Sequence, residues 1–464
     1  MMTMVQKPDE KRFLEVLDNT VDLFSDYSKL YYTKVISISH NDADGISSLQ
    51  LIQNLLRRMN FEFDYFIYNR SSSWANYLTG ILPKSHNTKT AFIFTDVGSS
   101  LSELIPIISK RKEHFYILDH HEVDININTN KLPENLFFVN PTVYGYDGLD
   151  DIAGACLTFM FAKKLKPTII KQGWLAIIGI AGDSLKSMDK LQSFNRDIYE
   201  QILQEQLVED KVGLPLFGGM HENIKNGLKH SILPFIKNLG GEPDDKINDF
   251  LNNLNINPNK KIIDLEQEDL EKISQKIKIP LGNFALLPQK QGLLSFAFEH
   301  ALLLNILSFK NISAALSIIQ QKTITRYAKT IYNEYINELV KNLKIFSRDL
   351  MRFETGKAVF VDVGNGEISP SSWSDTASFS TVNNLIPSNK VLFLGGLEKK
   401  TQMIKLSIRC SRQYLKANDI GINEIINRIK KELGGAGGGH KLAGGLRLSK
   451  PSYKLLKEKI DKLI

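Results

Sequence analysis

Cysteine is nearly missing from this sequence: the chain has two, Cys156 and Cys410, in 464 residues. That excludes a disulfide scaffold and a cysteine-rich zinc site, and it fits a reducing cytosol, so a cytoplasmic protein is expected. Long apolar runs are missing too. No stretch approaches the roughly 18–20 uncharged apolar residues that a membrane span needs, so no membrane partner is expected. The N-terminal MMTMVQKPDEKRF has no apolar core followed by a small-residue cleavage site, and no secretory leader is expected. Periodic repeats are absent. What remains is a globular composition, with 42% hydrophobic and 23% charged residues. At roughly 100–200 residues per domain, the length suits two to four domains.

The net charge of +7 is unevenly spread. Of the 58 Lys and Arg, 14 fall in residues 401–464, against 5 of the 51 Asp and Glu. A basic end on a nearly neutral body suggests a surface for phosphate-rich polymers, although a solvated Lys-rich helix such as KLLKEKIDKLI would give the same count.

The first 200 residues alternate short apolar runs with helical patterns. Val35–Ser39, Phe63–Tyr68, Ala91–Thr95 and Phe115–Leu118 read as buried strands. GISSLQLIQNLLRRM and SLSELIPIISKR, between them, have helical spacing. This predicts an α/β fold with a parallel sheet covered on both faces. The text then turns Asn/Lys/Glu-rich and mostly helical. The expected division is a parallel-sheet domain over 1–194, a helical insertion over 195–320, a linking helix over 321–350 and a smaller α/β domain over 351–464.

The chemistry gathers at strand ends, where ligands bind in open parallel sheets. His40, Asp42 and Asp44 follow the first strand in SHNDADGIS. Alternating residues of an extended segment point to one side, and imidazole with carboxylates suits a divalent ion of intermediate hardness. Asp96 follows the AFIFT strand, and Asp119, His120 and His121 follow FYIL. Each alone would be read as a helix cap or a turn residue; three of four strand ends carrying Asp or His is hard to ascribe to capping. Asp183, in GIAGDS, joins the set. Together these could hold two metals sharing a carboxylate, the arrangement that clamps the attacking and leaving oxygens in phosphoryl hydrolysis. Near the C-terminus, GGAGGGHKLAGGLRL removes side chains at Gly438 and Gly439 so that backbone N–H groups can approach an anion, with His440 and Lys441 beside them. A flexible linker is the alternative, but linkers rarely embed His-Lys and run straight into an apolar strand, so anion binding is favoured. Arg409, in a strand pattern, suits bidentate phosphate contact and could equally be a surface arginine.

HNDADG, TDVG, LDHHEVD and GIAGDS resemble the four motifs of the DHH phosphoesterases. GGGHKLAGG resembles the signature of the associated C-terminal domain, with Gly444 where alanine is usual. The motifs run in the expected order from Ser39 to Gly445. Length and insertion look most like the archaeal RecJ-like nucleases, relatives of the helicase-associated replication subunit that binds the GINS complex. The resemblance implies that His40 and Asp42 hold one metal, that Asp44, His120 and Asp183 hold the other, and that Asp96 bridges. His121 would face the scissile phosphate and Asp119 would orient His120. Arg409 with Gly438, Gly439 and His440 would grip a phosphate or terminal nucleotide across a cleft. Two histidine ligands favour Mn2+, with Mg2+ as the alternative. The expected function is a metal-dependent exonuclease on single-stranded DNA or RNA. The alternatives are a replication subunit that binds GINS without cutting, and a phosphodiesterase of dinucleotides or short oligonucleotides.

Overall fold

The computed structural model describes residues 8–69, 72–83, 88–125, 131–348, 352–364, 366–418 and 420–464. The chain forms two units, Met1–Leu214 with Pro280–Tyr332, and Pro215–Ile279 with Asn333–Ile464. Among the described residues, no helix is long and apolar enough to cross a membrane.

The first unit opens with α1 (Glu10–Leu30), β1 (Lys34–His40), α2 (Ala43–Arg58), β2 (Glu62–Tyr68), α3 (Trp74–Thr79), β3 (Thr90–Thr95), α4 (Leu101–Ile108), β4 (His114–Leu118) and β5 (Leu136–Val139). All five strands are parallel, in the order β2-β1-β3-β4-β5. The order reverses between β1 and β3, and such a switch point opens a crevice at the carboxyl ends of the strands. Register brings those ends level: Ser39 pairs with Thr95 and Thr95 with Leu118. The residues that follow, His40, Asp96 and Asp119, therefore leave the sheet at one edge. Ile36, Ile38, Phe92, Phe94, Phe115 and Ile117 bury one face of the sheet against Trp74, Leu101 and Leu104. The FDYFIY run, expected to be buried, is the edge strand, and of its residues only Tyr68 is buried. One neighbour instead of two leaves the rest of β2 partly open.

The chain continues through α5 (Gly154–Leu165), α6 (Gly173–Ser184), α7 (Ser193–Gln204) and β6 (Glu209–Gly213). It leaves the unit for α8 (Ile224–His230), α9 (Asp244–Asn252) and α10 (Gln267–Ile277), then returns with β7 (Gly282–Leu286), α11 (Ala297–Lys310) and α12 (Ile312–Ile318). Within 195–320, residues 215–279 fall in the second unit and the rest in the first. Antiparallel pairing of β6 with β7 holds the exit and the return together. α11 is apolar on nearly every face and packs on α2 and α6, so it belongs to the first core.

α13 (Arg326–Ser347) leads on to β8 (Arg352–Glu354), β9 (Ala358–Asp362), α14 (Trp373–Val382), β10 (Val391–Glu398), β11 (Met403–Arg409), α15 (Arg412–Asn418), α16 (Ile422–Leu433), β12 (Ala436–Gly439), β13 (Ala443–Leu448) and α17 (Lys450–Leu463). The second unit has a six-stranded sheet, β12-β13-β11-β10-β9-β8, in which β9 and β10 are parallel and the other pairs antiparallel. Alternation decides its faces: Phe360, Phe393, Leu406 and Ile408 pack on one side with Ile425 and Ile429, while Val359, Val361, Leu392 and Leu394 pack on the other with Trp373. The fold is α/β in both units.

Candidate functional site

The turn after β1 is built around Asp42. Its carboxylate caps α2 by accepting from the Gly45 N–H at 2.9 Å. A Cβ on Gly45 would lie 2.4 Å from the His40 carbonyl oxygen, so the tight turn requires glycine. The turn places His40 Nδ1 2.5 Å from Asp42 Oδ2 and 3.6 Å from Asp96 Oδ2. Asp96 has a φ of 60°, a left-handed conformation that aspartate tolerates, and its N–H bonds the Leu118 carbonyl at 2.9 Å. Burial lowers the His40 pKa, but Asp42 and Asp96 raise it to about 10.

Asp44, the second residue of α2, is buried. Its oxygens accept from the N–H groups of Gly154 at 2.6 Å and Ala155 at 2.8 Å. The α5 N-cap, Ala153, has no side chain to supply that acceptor, so Asp44 caps α5 from a distance and meets its dipole. Gly154 and Gly179 make room: a Cβ on either would come within 2.9 Å or 2.4 Å of an Asp44 oxygen. Asp183 projects from the last turn of α6. Burial, with the Asp96 and Asp183 charges, pushes Asp44 well above the usual carboxylate range. Burial also carries Asp183 up to about 6, with His120 opposing and Asp96 and Asp42 adding to the rise.

His120 sits where these elements meet. Its Nε2 lies 3.0 Å from Asp96 Oδ1, 3.5 Å from Asp183 Oδ2 and 3.6 Å from Asp44 Oδ2. Its Nδ1 lies 2.5 Å from the Gly148 carbonyl oxygen. Burial lowers the His120 pKa, but the Asp183 and Asp96 charges raise it well above the usual imidazole range. With Nδ1–H donating to Gly148, a cation that displaces the Nε2 proton would find there the lone pair a metal ligand needs. The Gly148 carbonyl meets the His120 ring, while Asp119, expected to orient His120, meets its backbone N–H. Asp119 Oδ1 accepts from the His120 and His121 N–H groups and lies 2.8 Å from His121 Nδ1. Its Oδ2 accepts from the Ser99 N–H and hydroxyl at 2.8 and 2.6 Å. Asp119 is therefore saturated and anchors the loop and the partly exposed His121.

His40, Asp42, Asp44, Asp96, His120 and Asp183 are thus brought together. In three groups the candidate ligand atoms lie within 4.8 Å of one another: His40, Asp42 and Asp96; Asp44, His120 and Asp183; and Asp96, Asp119, His120 and His121. Asp96 has one oxygen toward His40 and the other toward His120, the placement of a shared ligand. Buried Asp96 Oδ2 and Asp183 Oδ2 have no hydrogen-bond partner among the described residues. Acids packed this closely in a dry site are costly unless protons or cations offset them. The donor set and the two orphaned oxygens fit divalent cations, for which the cluster can serve as a binding site.

The other expected residues lie in the second unit, along a groove of about 490 Å3 whose lining includes Arg409, Gly439 and His440. Gly438 and Gly439 lie on the edge strand β12, exposed. Arg409 is more committed than its sequence suggests. Nε bonds Ser378 Oγ at 2.8 Å, Nη1 bonds the Ile408 and Gly444 carbonyls at 2.8 and 3.3 Å, and Nη2 bonds Ser374 Oγ and carbonyl at 2.8 and 3.4 Å. A phosphate would have to displace one of these partners. Sequence reasoning missed Gly148, Gly154 and Gly179 and the anchoring Ser99; their roles come from tertiary contacts that leave no local pattern.

Residues 34–180 match the DHH family, N-terminal domain, and residues 358–464 match the DHHA1 domain. An uncharacterized protein of Methanocaldococcus jannaschii is 24% identical over 447 residues, covering 94% of each chain. CDC45 from Entamoeba histolytica has a similar fold, with a TM-score of 0.72 at 13% identity, over 97% of this chain and 98% of that one. RecJ from Thermus thermophilus in complex with Mn2+ matches with a TM-score of 0.52 at 15% identity, over 97% of this chain and 55% of RecJ. An exonuclease RecJ bound to manganese gives 0.52 at 14%, over 98% and 94%. The motifs, the clustered strand ends and both domain matches agree: the chain is a DHH-superfamily protein with a DHHA1 C-terminal domain.

Proposed function

We propose that the protein is a metal-dependent phosphodiesterase of the RecJ-like type, an exonuclease that shortens single-stranded DNA or RNA from an end, working in the cytoplasm. The observation that carries the reading is the pair of acid–histidine groups joined by Asp96. In this reading His40 and Asp42 hold one cation, Asp44, His120 and Asp183 hold the second, and Asp96 touches both. Mn2+ is favoured because imidazole supplies ligands on both sides, with Mg2+ the alternative. When bound, two such cations would activate a water and neutralise charge on a phosphodiester. Asp44, tied to the α5 N–H groups, and His120, aimed by Gly148, hold their positions without reorganising. His121, anchored by Asp119 and partly exposed, faces the phosphate. Arg409, exchanging one of its serine partners for a phosphate, grips the phosphate or terminal nucleotide with Gly438, Gly439 and His440. The test is degradation of 5′- and 3′-labelled DNA and RNA oligonucleotides with and without Mn2+. Wild type should release nucleotides only with metal, and Asp42→Ala or His120→Ala should abolish this while folding survives. Unchanged turnover in either variant would defeat the reading.

A second reading is a replication subunit that binds the GINS complex without cutting. The likeness to CDC45 over nearly the full chain supports it; the complete ligand set weighs against a purely structural role. Binding of purified GINS by a chain inert toward oligonucleotides would favour it. Activity confined to dinucleotides would instead favour a small phosphodiesterase.

A further inference from the structure

α11 lies outside the residues matched to the DHH domain, yet it reaches the acid loops. Asn305 Oδ1 accepts a hydrogen bond from the Ala43 N–H at 2.7 Å. Ala43 is the first residue of α2, so its N–H has no acceptor within the helix. It is also the residue between Asp42 and Asp44. One turn earlier on α11, Ala301 shares the face of Asn305. A Cβ added to Gly182, the neighbour of Asp183, would lie 2.9 Å from Ala43 Cβ and 3.4 Å from Ala301 Cβ. Helices α2, α6 and α11 therefore meet through Ala43, Gly182 and Ala301, with Asn305 adding a polar tie.

The consequence lies in the division of the acids. Asp42 groups with His40 and Asp96; Asp44 groups with His120 and Asp183. The backbone between Asp42 and Asp44 is the shortest covalent link between the two groups, and a rotation of the peptide at Ala43 would change their separation. We propose that Asn305 is a positioning residue for both cation sites: by holding the Ala43 N–H it fixes the backbone joining Asp42 to Asp44, and with it the spacing of the two cations. The proposal rests on reading the two groups as cation sites.

The test uses the full chain and Mn2+ alone. Asn305→Leu removes the acceptor at similar volume, Asn305→Ala removes it without bulk, and Asn305→Asp retains it. Folding is checked by circular dichroism, and Mn2+ titrations are followed by electron paramagnetic resonance, which distinguishes a spin-coupled pair from isolated ions. The Leu and Ala variants should bind Mn2+ about 10–100-fold more weakly and lose coupled signal, a typical loss when the support of a ligand is removed. Asn305→Asp should stay near wild type. Should Asn305→Leu fail to fold, Asn305→Ala decides. Folded variants lacking the acceptor but showing wild-type affinity and coupling would overturn the role of Asn305, as would an Asp variant as impaired as Leu. A folded wild type that binds no Mn2+ would instead overturn the reading of the groups themselves, and the role of Asn305 with it.

Discussion

Replacing Asp44 by asparagine separates the structural work of this carboxylate from its metal work. Asp44 accepts from the Gly154 and Ala155 N–H groups, one on each oxygen. Asparagine offers one oxygen and one NH2, so one N–H of α5 loses its acceptor. Hydrogen bonds to charged groups contribute about 1.5–3 kcal/mol each, which sets the loss. An opposing gain exists. Burial, followed by the Asp96 and Asp183 charges, raises the Asp44 pKa in the folded state. A carboxyl raised by folding costs nothing below the unfolded value of about 3.9 and progressively more as pH climbs above it. At neutral pH asparagine removes that cost. The two effects oppose, so metal-free Asp44→Asn should unfold within about 2 kcal/mol of wild type in urea. Saturating Mn2+ should separate them. At about 100 times the dissociation constant, an ion that binds only the folded state adds roughly 2.7 kcal/mol. Wild type should show that gain and Asp44→Asn most of its loss, together with lost nucleotide release. A variant that gains as much from Mn2+ as wild type would refute the assignment of Asp44.

Gly179→Ala, which would drive a Cβ to 2.4 Å from both Asp44 Oδ1 and Ala155 Cβ, should destabilise by about 1–3 kcal/mol in denaturant melts and weaken Mn2+ binding. Because carboxylates hold a proton on His40 up to a pH of about 10, Mn2+ must displace it at neutral pH. Calorimetry in buffers of different ionisation enthalpy should therefore show proton release, and affinity should rise as pH is raised from about 6 to about 8. No proton release would argue that His40 is not a ligand. Gly438→Ala adds a Cβ that meets nothing within 4 Å, so its melting temperature should hold while oligonucleotide affinity falls. Gly444→Ala instead places a Cβ 2.4 Å from Ile426 Cδ1, and should lower the melting temperature measurably.

The strand ends were legible because a parallel sheet exposes its chemistry at one edge, and Asp or His after an apolar run marks that edge. His40, Asp96 and His120 could be found this way without knowing the sheet order. The supports were not legible. Gly154 and Gly179 look like ordinary helix glycines until Asp44, over a hundred residues away, needs their space. FDYFIY carries the apolar content of a buried strand, but the edge position depends on which strands pair. Local pattern cannot show that β6 and β7 pair, nor that residues 215–279 between them belong to the second unit. Arg409 matched the expected position, while its bonds to Ser374 and Ser378 depend on where α14 packs.

The central claim is that the six acid and imidazole groups at the end of the first sheet converge on two cations. Anomalous diffraction from crystals soaked in Mn2+ tests it most directly. The account predicts two peaks roughly 3.5–4 Å apart on either side of Asp96, one beside His40 and Asp42 and the other beside Asp44, His120 and Asp183. No peak, or ions only at sites away from these residues, would contradict it.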